Sequence, residues 1–207
     1  MRLYYSPGSC SLAPHIVIEE TGADYEPVRV VLAKGEHMTD GFAAINPRRR
    51  VPALQLPDGQ VLTETHAIMA YLADTHPKAG LLSADPLGRA RAHEWMNWLS
   101  STVHVTFATF FRPERFLGEG QDKEPMQKAA VERYDALMRE IDSRLPKEGF
   151  SLGAFSVADA HLLVFLRWAG RMGLDPADYP SYLALVRRVQ ERPGAARALN
   201  IHDLPPL

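Results

Sequence analysis

The sequence predicts a small α/β unit followed by an all-α unit. Strand-like apolar runs with turn residues between them occur only before residue 77. From residue 86 onward, the apolar residues recur at helical spacing. The stretch between these parts, residues 77–86, is rich in Pro, Gly, Ser and Asp and is typical of a linker. We therefore expect two domains, at residues 1–78 and 86–207.

Composition and charge exclude several classes of protein. The 207 residues carry 23 Lys and Arg against 25 Asp and Glu, so no basic surface for nucleic acid is expected. A single cysteine rules out an internal disulfide framework and multi-cysteine zinc sites, and it suits a reducing compartment. No apolar stretch approaches the ~20 residues of a membrane span, and the first residues lack the apolar core of a secretory signal. The sequence thus predicts a soluble cytoplasmic protein without a metal, a nucleic-acid partner or a membrane partner.

The first half begins with a β-α-β pattern. Residues 2–5 form a short apolar run that stops at Pro7-Gly8, as a strand does before a tight turn. Residues 11–21 have apolar side chains at helical spacing, which predicts a helix. A second strand is expected over residues 26–32, and the polar stretch after it is expected to be irregular.

A β-β-α pattern completes the first half. The segments 51–56 and 60–62 flank Pro57-Asp58-Gly59, which is a hairpin signature. A helix is expected to follow over residues 64–75, so that this half forms a small open sheet with helices packed on it. In the second half, helices are expected at residues 86–111, 124–145, 156–172 and 179–192.

Cys10, the only cysteine, lies where the first strand passes into a helix. Free amides and the helix dipole at such a place favour negative charge, so we expect a lowered pKa for the thiol and a larger thiolate fraction. Ser9 and Ser11 on either side offer hydroxyls that would bind a ligand's sulfur. The alternative is that Cys10 is a small buried apolar residue and that one of the serines only caps the helix.

Two further places in the first half are candidates for contacts with a ligand. A cis Val51–Pro52 bond would leave the Val51 amide and carbonyl free for an extended peptide, whereas the alternative is a trans proline on an edge strand. Glu64 and Thr65 begin the next helix, where backbone amides and a hydroxyl bind carboxylates. Helix capping is the alternative there, and His66 beside them is expected to be a packing or surface residue.

Taken together, these features resemble the cytosolic glutathione transferases of the bacterial beta class. The resemblance spans nearly the whole chain and depends on the order and spacing of several modest motifs. The matching segments in the first half are 4–15 (YYSPGSCSLAPH), Asn46-Pro47, 51–54 (VPAL), 62–64 (LTE), 67–68 and 71–73. In the second half they are Glu94-Trp95, Asn97, 104–107 (HVTF) and 156–159 (SVAD).

The resemblance implies a thioredoxin-like first domain that binds glutathione as co-substrate and a helical second domain that supplies most of the second-substrate pocket. Cys10 would face the glutathione sulfur, with Ser9, Ser11 and His104 as further catalytic candidates. The other glutathione-binding candidates would be Lys34 at the glycine carboxylate, Val51 with a cis Pro52 at the cysteinyl part, and Glu64 and Thr65 at the γ-glutamyl end. Asn97, Ser101, Thr102 and Val103 would line the cleft, partly from the neighbouring subunit. The family also implies a homodimer.

The remaining candidate residues have either a functional or a purely structural interpretation. With an ordinary pKa of ~6.5, His104 would serve as a proton partner or hydrogen-bond donor at neutral pH. The arginine run at residues 48–50 is either a solvated loop or a source of positive field for glutathione. Ser156 and Asp159 form a capping box, which we expect to support folding rather than catalysis. Residues that belong either to an apolar second-substrate pocket or to the helical core are Phe107, Phe110, Phe111, Trp168 and Tyr179.

Three functions are compatible with these residues. In the first, bound glutathione thiolate attacks a small apolar electrophile, and the protein lowers the pKa of the glutathione thiol and orients the reactants. In the second, Cys10 is itself the nucleophile and forms a mixed disulfide with glutathione, which gives thiol–disulfide exchange or peroxide reduction. In the third, the chain binds glutathione without efficient catalysis. We expect the first, a glutathione S-transferase.

Overall fold

The computed structural model describes all 207 residues, and its first part is built on a four-stranded mixed sheet. The strands are β1 (Arg2–Tyr5), β2 (Glu26–Arg29), β3 (Ala53–Gln55) and β4 (Val61–Thr63), in the spatial order β2-β1-β3-β4. β2 is parallel to β1, whereas β3 pairs antiparallel with both β1 and β4. The helices of this part are α1 (Leu12–Thr21), α2 (Asp40–Ile45) and α3 (Thr65–Thr75). This is the thioredoxin-like arrangement that was expected.

The second part is built from helices, as predicted. α4 (Pro86–Trp98) continues through a π-turn (Leu99–Val103) into α5 (His104–Phe111). The remaining helices are α6 (Glu124–Arg144), α7 (Val157–Arg171), α8 (Pro180–Gln190) and α9 (Pro193–Ile201). No helix is both long enough and apolar enough to cross a membrane.

Helix α1 lies at the centre of the molecule, between the sheet and the helical part. Every side chain from Leu12 to Ile18 is buried, and the helix packs against α3, α7 and α9. A helix buried on all sides needs apolar residues around its whole circumference, which is why α1 lacks a polar face over these residues. One continuous apolar cluster therefore includes residues of both parts.

Three details of the predicted secondary structure are wrong. α2 lies in the stretch that was expected to be irregular, and it begins where the Thr39 hydroxyl accepts a hydrogen bond from the Phe42 amide. α9 follows α8 almost directly and was missed, although Pro193 occupies a first-turn position that suits proline. β2 ends at Arg29 instead of residue 32, because the chain turns there toward a 3₁₀ turn at Leu32–Lys34.

A buried chain of hydrogen bonds holds the turn before α1. The Gly8 amide donates to His202 Nδ1 (3.3 Å), His202 Nε2 donates to His15 Nδ1 (2.9 Å), and His15 Nε2 donates to the Tyr25 hydroxyl (2.7 Å), which donates to Glu19. Because an amide only donates, both imidazoles are neutral with the proton on Nε2. Burial lowers the pKa of His15 to about 4 and the pKa of His202 to about 3.

His161 in α7 is also a buried imidazole, but unlike His15 and His202 it makes no hydrogen bonds. It is fully buried, and neither ring nitrogen has a hydrogen-bond partner. Burial lowers its pKa to about 3. An unpartnered buried polar group costs roughly 1–3 kcal/mol, so this side chain weakens the core that it fills.

Candidate active site

A cleft between the two parts of the molecule contains two adjoining cavities. Their volumes are about 610 and 430 Å³, and both are lined by Cys10, Arg50, Val51, His104, Ala108 and Arg115. The larger, here called the polar cavity, extends to the start of α3 and is also lined by Thr63, Glu64, Thr65, His66, Asn97 and Ser100. The smaller, here called the aromatic cavity, is also lined by Phe107, Phe111, Trp168, Val31, Leu32 and Ala33. Cys10 lies where the two meet.

The Val51 backbone lines the polar cavity in a form suited to binding a peptide. The Val51–Pro52 bond is cis, as the resemblance implied. The Val51 amide makes no hydrogen bond within the chain, and the Val51 carbonyl accepts one from the Cys10 thiol at 3.6 Å. Buried amides are almost always paired, so an unpaired one at a cavity indicates a place for an external acceptor.

The start of α3 offers a second set of polar groups to the same cavity. The first amides of a helix have no partner within it and attract carboxylates. Glu64, just before the helix, has a φ of 70°, which is uncommon for a residue other than glycine. Its exposed carboxylate pairs with Arg48 at 3.2 Å. Unusual backbone conformations of this kind cluster at ligand sites.

His66 orients Asn97 along the wall of the polar cavity. His66 Nδ1 lies 3.0 Å from Asn97 Oδ1, and its Nε2 lies 2.8 Å from His93 Nδ1. His66 is therefore a packing residue, as predicted, but one that also lines the cavity. Asn97 lines the cavity as expected.

The Cys10 thiol is not the low-pKa group that was predicted. Burial raises its pKa to about 11. The physical reason is that desolvation of the thiolate outweighs the lowering effects of Thr65 and of the Cys10 amide. Cys10 is therefore a neutral thiol at pH 7, and it donates to the Val51 carbonyl.

The two serines beside Cys10 bind the turn that contains them. Ser11 is fully buried, accepts from the Ser6 amide at 3.0 Å and lies 2.6 Å from the Ser9 hydroxyl. Ser9 donates to the Ser6 carbonyl at 2.8 Å. Ser9 lines the aromatic cavity, whereas Ser11 lies outside both cavities.

His104, at the start of α5, lines both cavities and is neutral. Burial, and to a smaller extent Arg50 and Arg115, lowers its pKa to about 4. The prediction of a proton partner with an ordinary pKa is therefore wrong. The ring packs edge-on against Trp168, with 5.0 Å between centroids. A neutral imidazole in this place still offers one N–H donor to a ligand.

Three aromatic side chains form one wall of the aromatic cavity. Phe107 stacks on Trp168 at 4.1 Å and on Phe111 at 5.4 Å between ring centroids. These were among the five pocket candidates. Phe110 and Tyr179 lie outside the cavity, and Tyr179 is a buried core residue whose hydroxyl donates to Asp135 at 2.7 Å.

Comparison with known proteins decides the family. The glutathione S-transferase N-terminal domain model matches residues 1–74, and the glutathione S-transferase C-terminal domain model matches residues 99–193. The glutathione S-transferase GstA of Escherichia coli O157:H7 is 36% identical over 207 residues, which cover 99% of this chain and 100% of the relative. The chain belongs to the glutathione S-transferase family.

Solved structures of the same family agree with this assignment. A glutathione transferase homologue from Sulfitobacter, solved with bound glutathione, has a TM-score of 0.92 and 36% identity, covering 97% of each chain. The beta-class glutathione S-transferase of Sphingomonas chungbukensis has a TM-score of 0.87 and 38% identity, covering 99% of this chain and 100% of its own. The expected resemblance to the bacterial beta class is thereby confirmed.

Four residues predicted for glutathione binding in this family member do not line either cavity. The π-turn changes the helical register, and the residues of this helix that line the cavities are Asn97, Ser100, His104, Val105, Phe107, Ala108 and Phe111. Val103 is buried in the core, and Ser101 and Thr102 lie on other faces. Lys34 is exposed on the 3₁₀ turn, and the residues just before it line the aromatic cavity instead.

Sequence reasoning missed most of the arginines at the cleft of this transferase. Within the run at residues 48–50, Arg49 contacts the Met38 carbonyl and Arg50 lines both cavities without an ion pair. Arg112, Arg115 and Arg171 line the aromatic cavity from distant parts of the chain. No local motif contains them, so only the folded arrangement reveals that they converge. No three His, Cys, Asp or Glu side chains are grouped as metal ligands would be.

Proposed function

We propose that this glutathione S-transferase holds glutathione in the polar cavity and transfers its thiolate to a small electrophile in the aromatic cavity. The observation that carries the proposal is that the two cavities meet at Cys10, Val51 and His104. One cavity offers peptide- and carboxylate-binding groups, and the other offers an apolar aromatic wall. A sulfur at their junction would be within reach of a reactant on either side.

Three contacts would orient glutathione. The unpaired Val51 amide and the Val51 carbonyl would pair with its cysteinyl unit, as in an added strand. The first amides of α3 and the Thr65 hydroxyl would bind the α-carboxylate of the γ-glutamyl end. Glu64 would accept from the ammonium group in place of Arg48. Holding both ends would fix the sulfur near Cys10 and supply the orientation that favours attack.

The groups at the junction favour a thiolate on glutathione. Arg50 and Arg115 supply positive charge there, and no acidic residue is shared by the two cavities. The Cys10 thiol and the neutral His104 imidazole would each donate a hydrogen bond to the sulfur anion. The thiolate would then form a carbon–sulfur bond, while a leaving group departs with the electron pair of its bond.

Replacing Glu64 tests the placement of glutathione. We expect Glu64→Gln to raise the KM for glutathione by ~10-fold, since a hydrogen bond to a charged group is worth roughly 1.5–3 kcal/mol, with a smaller effect on kcat. Steady-state kinetics with an aryl halide measures this. Glu132→Gln, an exposed acid on α6 that undergoes the same charge change, serves as the control and should leave both constants unchanged. An unchanged KM in Glu64→Gln would contradict the placement.

Replacing Cys10 separates transfer from redox chemistry. A thiol with a raised pKa is a poor nucleophile at neutral pH, which favours transfer over the Cys10-dependent exchange reaction. We expect Cys10→Ala to keep aryl-halide transfer within ~10-fold, because it loses a single hydrogen-bond donor to the thiolate. Cys10→Ser restores a donor and should recover part of that loss. A fall of several orders of magnitude in both variants would show instead that Cys10 is the nucleophile.

Glutathione binding without turnover of any electrophile would contradict the proposed transfer reaction. The expected homodimer and cytoplasmic location stay predictions, which sedimentation velocity and fractionation of the source cells would test.

A further inference from the structure

We propose that the electrophile of this transferase is an acid: a flat aromatic or conjugated molecule that carries a carboxylate. This inference rests on the proposed function and specifies its second substrate. It replaces the small apolar electrophile that the sequence predicted, because the aromatic cavity has a strongly cationic lining.

Charge in the aromatic cavity is one-sided. Six arginines line it, and no aspartate or glutamate does. The remaining titratable side chains there are Cys10, His37 and His104, none of which supplies a negative charge at pH 7, since Cys10 has a raised pKa and both histidines have a lowered pKa. The six arginines are Arg29, Arg49, Arg50, Arg112, Arg115 and Arg171.

The protein itself neutralises only part of this charge. Three arginines pair with acids outside the cavity: Arg29 with Asp203 at 3.1 Å, Arg49 with Asp40 at 3.4 Å and Arg112 with Glu114 at 4.0 Å. The other three, Arg50, Arg115 and Arg171, form no ion pair with any carboxylate of the chain. Like charges that share a partly desolvated site repel, and a bound anion would relieve that repulsion.

The cations are placed around an aromatic surface. Arg171 and Arg112 lie over the Phe111 ring, with 4.9 and 5.4 Å from guanidinium carbon to centroid. Phe111 continues the stack that Phe107 forms with Trp168. A planar ligand lying on this wall would place a carboxylate among guanidinium groups, whose fork geometry matches two carboxylate oxygens. A flat acid fits both the aromatic wall and the arginines of this lining, whereas a neutral aryl halide fits only the aromatic wall.

Glutathione does not account for all of these cations. It also carries carboxylates, and Arg50 and Arg115 line both cavities. Arg112 and Arg171, however, line only the aromatic cavity. The competing assignment, in which the arginines bind the glycine carboxylate of glutathione, predicts an effect on the KM for glutathione and none on the choice of electrophile.

A matched pair of electrophiles tests the inference. Chlorodinitrobenzoate and its methyl ester differ at the acid group, and each kcat/KM at saturating glutathione is divided by the uncatalysed rate constant. We expect the acid to be preferred by ~10-fold or more, because a charge-assisted pair adds roughly 1.5–3 kcal/mol to its binding. The preference should shrink as salt is added, since partly exposed charges are screened.

Variants test whether the preference for the acid over the ester arises from the arginines of the aromatic cavity. The double variant Arg112→Gln/Arg115→Gln is expected to lower the acid-to-ester preference by ~10-fold. Arg133→Gln, an exposed arginine on α6, removes one charge of the same kind far from the cavity and should leave the preference unchanged. An equal rate for acid and ester would overturn the inference and leave the transferase function standing. An unchanged preference with a raised KM for glutathione in the double variant would also overturn it.

Binding measured without turnover keeps the inference separate from the proposed function. Unreactive dinitrobenzoate should bind with a lower Kd than its methyl ester when glutathione is present. Quenching of the fluorescence of Trp168, which lines the cavity, reports the binding of each. If this preference appears without turnover of either electrophile, the proposed function fails and the acid site stands. If neither turnover nor preferential quenching appears, both are overturned.

Discussion

Lowering the pH from about 7 to about 5 is expected to remove roughly 5–7 kcal/mol of the folding stability of this protein. His15, His161 and His202 are buried and neutral, and burial lowers their pKa values to about 4, about 3 and about 3. In the unfolded chain the pKa of histidine is ~6.5, so below that pH the unfolded state binds more protons than the folded state. Each histidine then costs roughly 1.4 kcal/mol of stability per pH unit.

The sign and the pH window follow from the direction of these shifts. The folded pKa values lie below the unfolded one, so this stability is fully present above pH ~6.5 and is lost as the pH falls toward ~4. These three groups give a slope of roughly 4 kcal/mol per pH unit, against a total stability of ~5–15 kcal/mol. His104, whose pKa burial also lowers to about 4, adds to the slope with the same sign. Burial raises the pKa of Asp159, which opposes the effect by at most one proton. Carboxylates with a lowered pKa, such as Glu19, stabilise the fold at these pH values, and their contribution is lost only in more acidic solution.

Urea denaturation at several pH values between about 5 and 8 measures the slope directly, because the slope gives the number of protons taken up on unfolding. His161→Leu is the informative variant, since it replaces an unpartnered imidazole with an apolar side chain of similar volume. We expect it to gain ~1–2 kcal/mol at pH 7 and to take up one proton fewer. His15→Leu should instead lose stability at pH 7, because both of its nitrogens are hydrogen-bonded. A free energy of unfolding that stays constant from pH 8 to 5 would contradict the whole scheme.

The fold could be predicted from the sequence because its signals are local. The hairpin around Pro57-Asp58-Gly59 and the helical spacing after residue 86 each arise within a few residues. α9 was missed for a local reason too, since Pro193-Gly194 looks like the end of a helix and is in fact the start of the next one. Residue patterns therefore predicted the presence of helices and strands better than the residues at which they begin and end.

The candidate site was predictable only in part, because its chemistry depends on burial and on distant residues. Cys10, Val51 and Glu64 line the cavities where their sequence context placed them. The pKa of Cys10 could not be inferred from a strand–helix junction, since the junction does not reveal how far the folded chain desolvates the thiol. Residues 101–103 do not line the cavities of their own chain, because a π-turn that leaves no mark in the spacing of apolar residues changes the register of the α4–α5 helix there.

The largest single loss of stability is expected at Asp159. Its Oδ1 accepts from the Ser151 amide at 2.8 Å, and its Oδ2 accepts from the Ser156 amide at 2.8 Å and the Ser156 hydroxyl at 3.0 Å. The Ser156 hydroxyl accepts in turn from the Ala158 amide at 3.3 Å, which completes the capping box of α7. Asp159 is fully buried, so water cannot replace these bonds when the carboxylate is removed.

Asp159→Ala is therefore expected to cost ~3–5 kcal/mol, because it leaves the buried Ser156 amide and the part-buried Ser151 amide without acceptors, at roughly 1–3 kcal/mol each, and opens a small cavity. In a domain of this size the Tm should fall by roughly 10 °C, which differential scanning calorimetry would measure. Asp159→Asn keeps one acceptor oxygen and should lose about half as much.

The control is Asp85→Ala at the start of α4, where Asp85 Oδ2 caps the Gly88 amide at 2.7 Å on an exposed surface. An exposed cap of this kind costs typically ~1 kcal/mol, because water replaces the lost acceptor. The difference between the two variants thus isolates burial as the cause. Asp159 lines neither cavity, so its role is structural. We therefore expect the folded Asp159→Ala protein, measured well below its Tm, to keep the wild-type KM for glutathione. Equal losses at Asp85 and Asp159 would mean that water reaches the capping box of α7 after all.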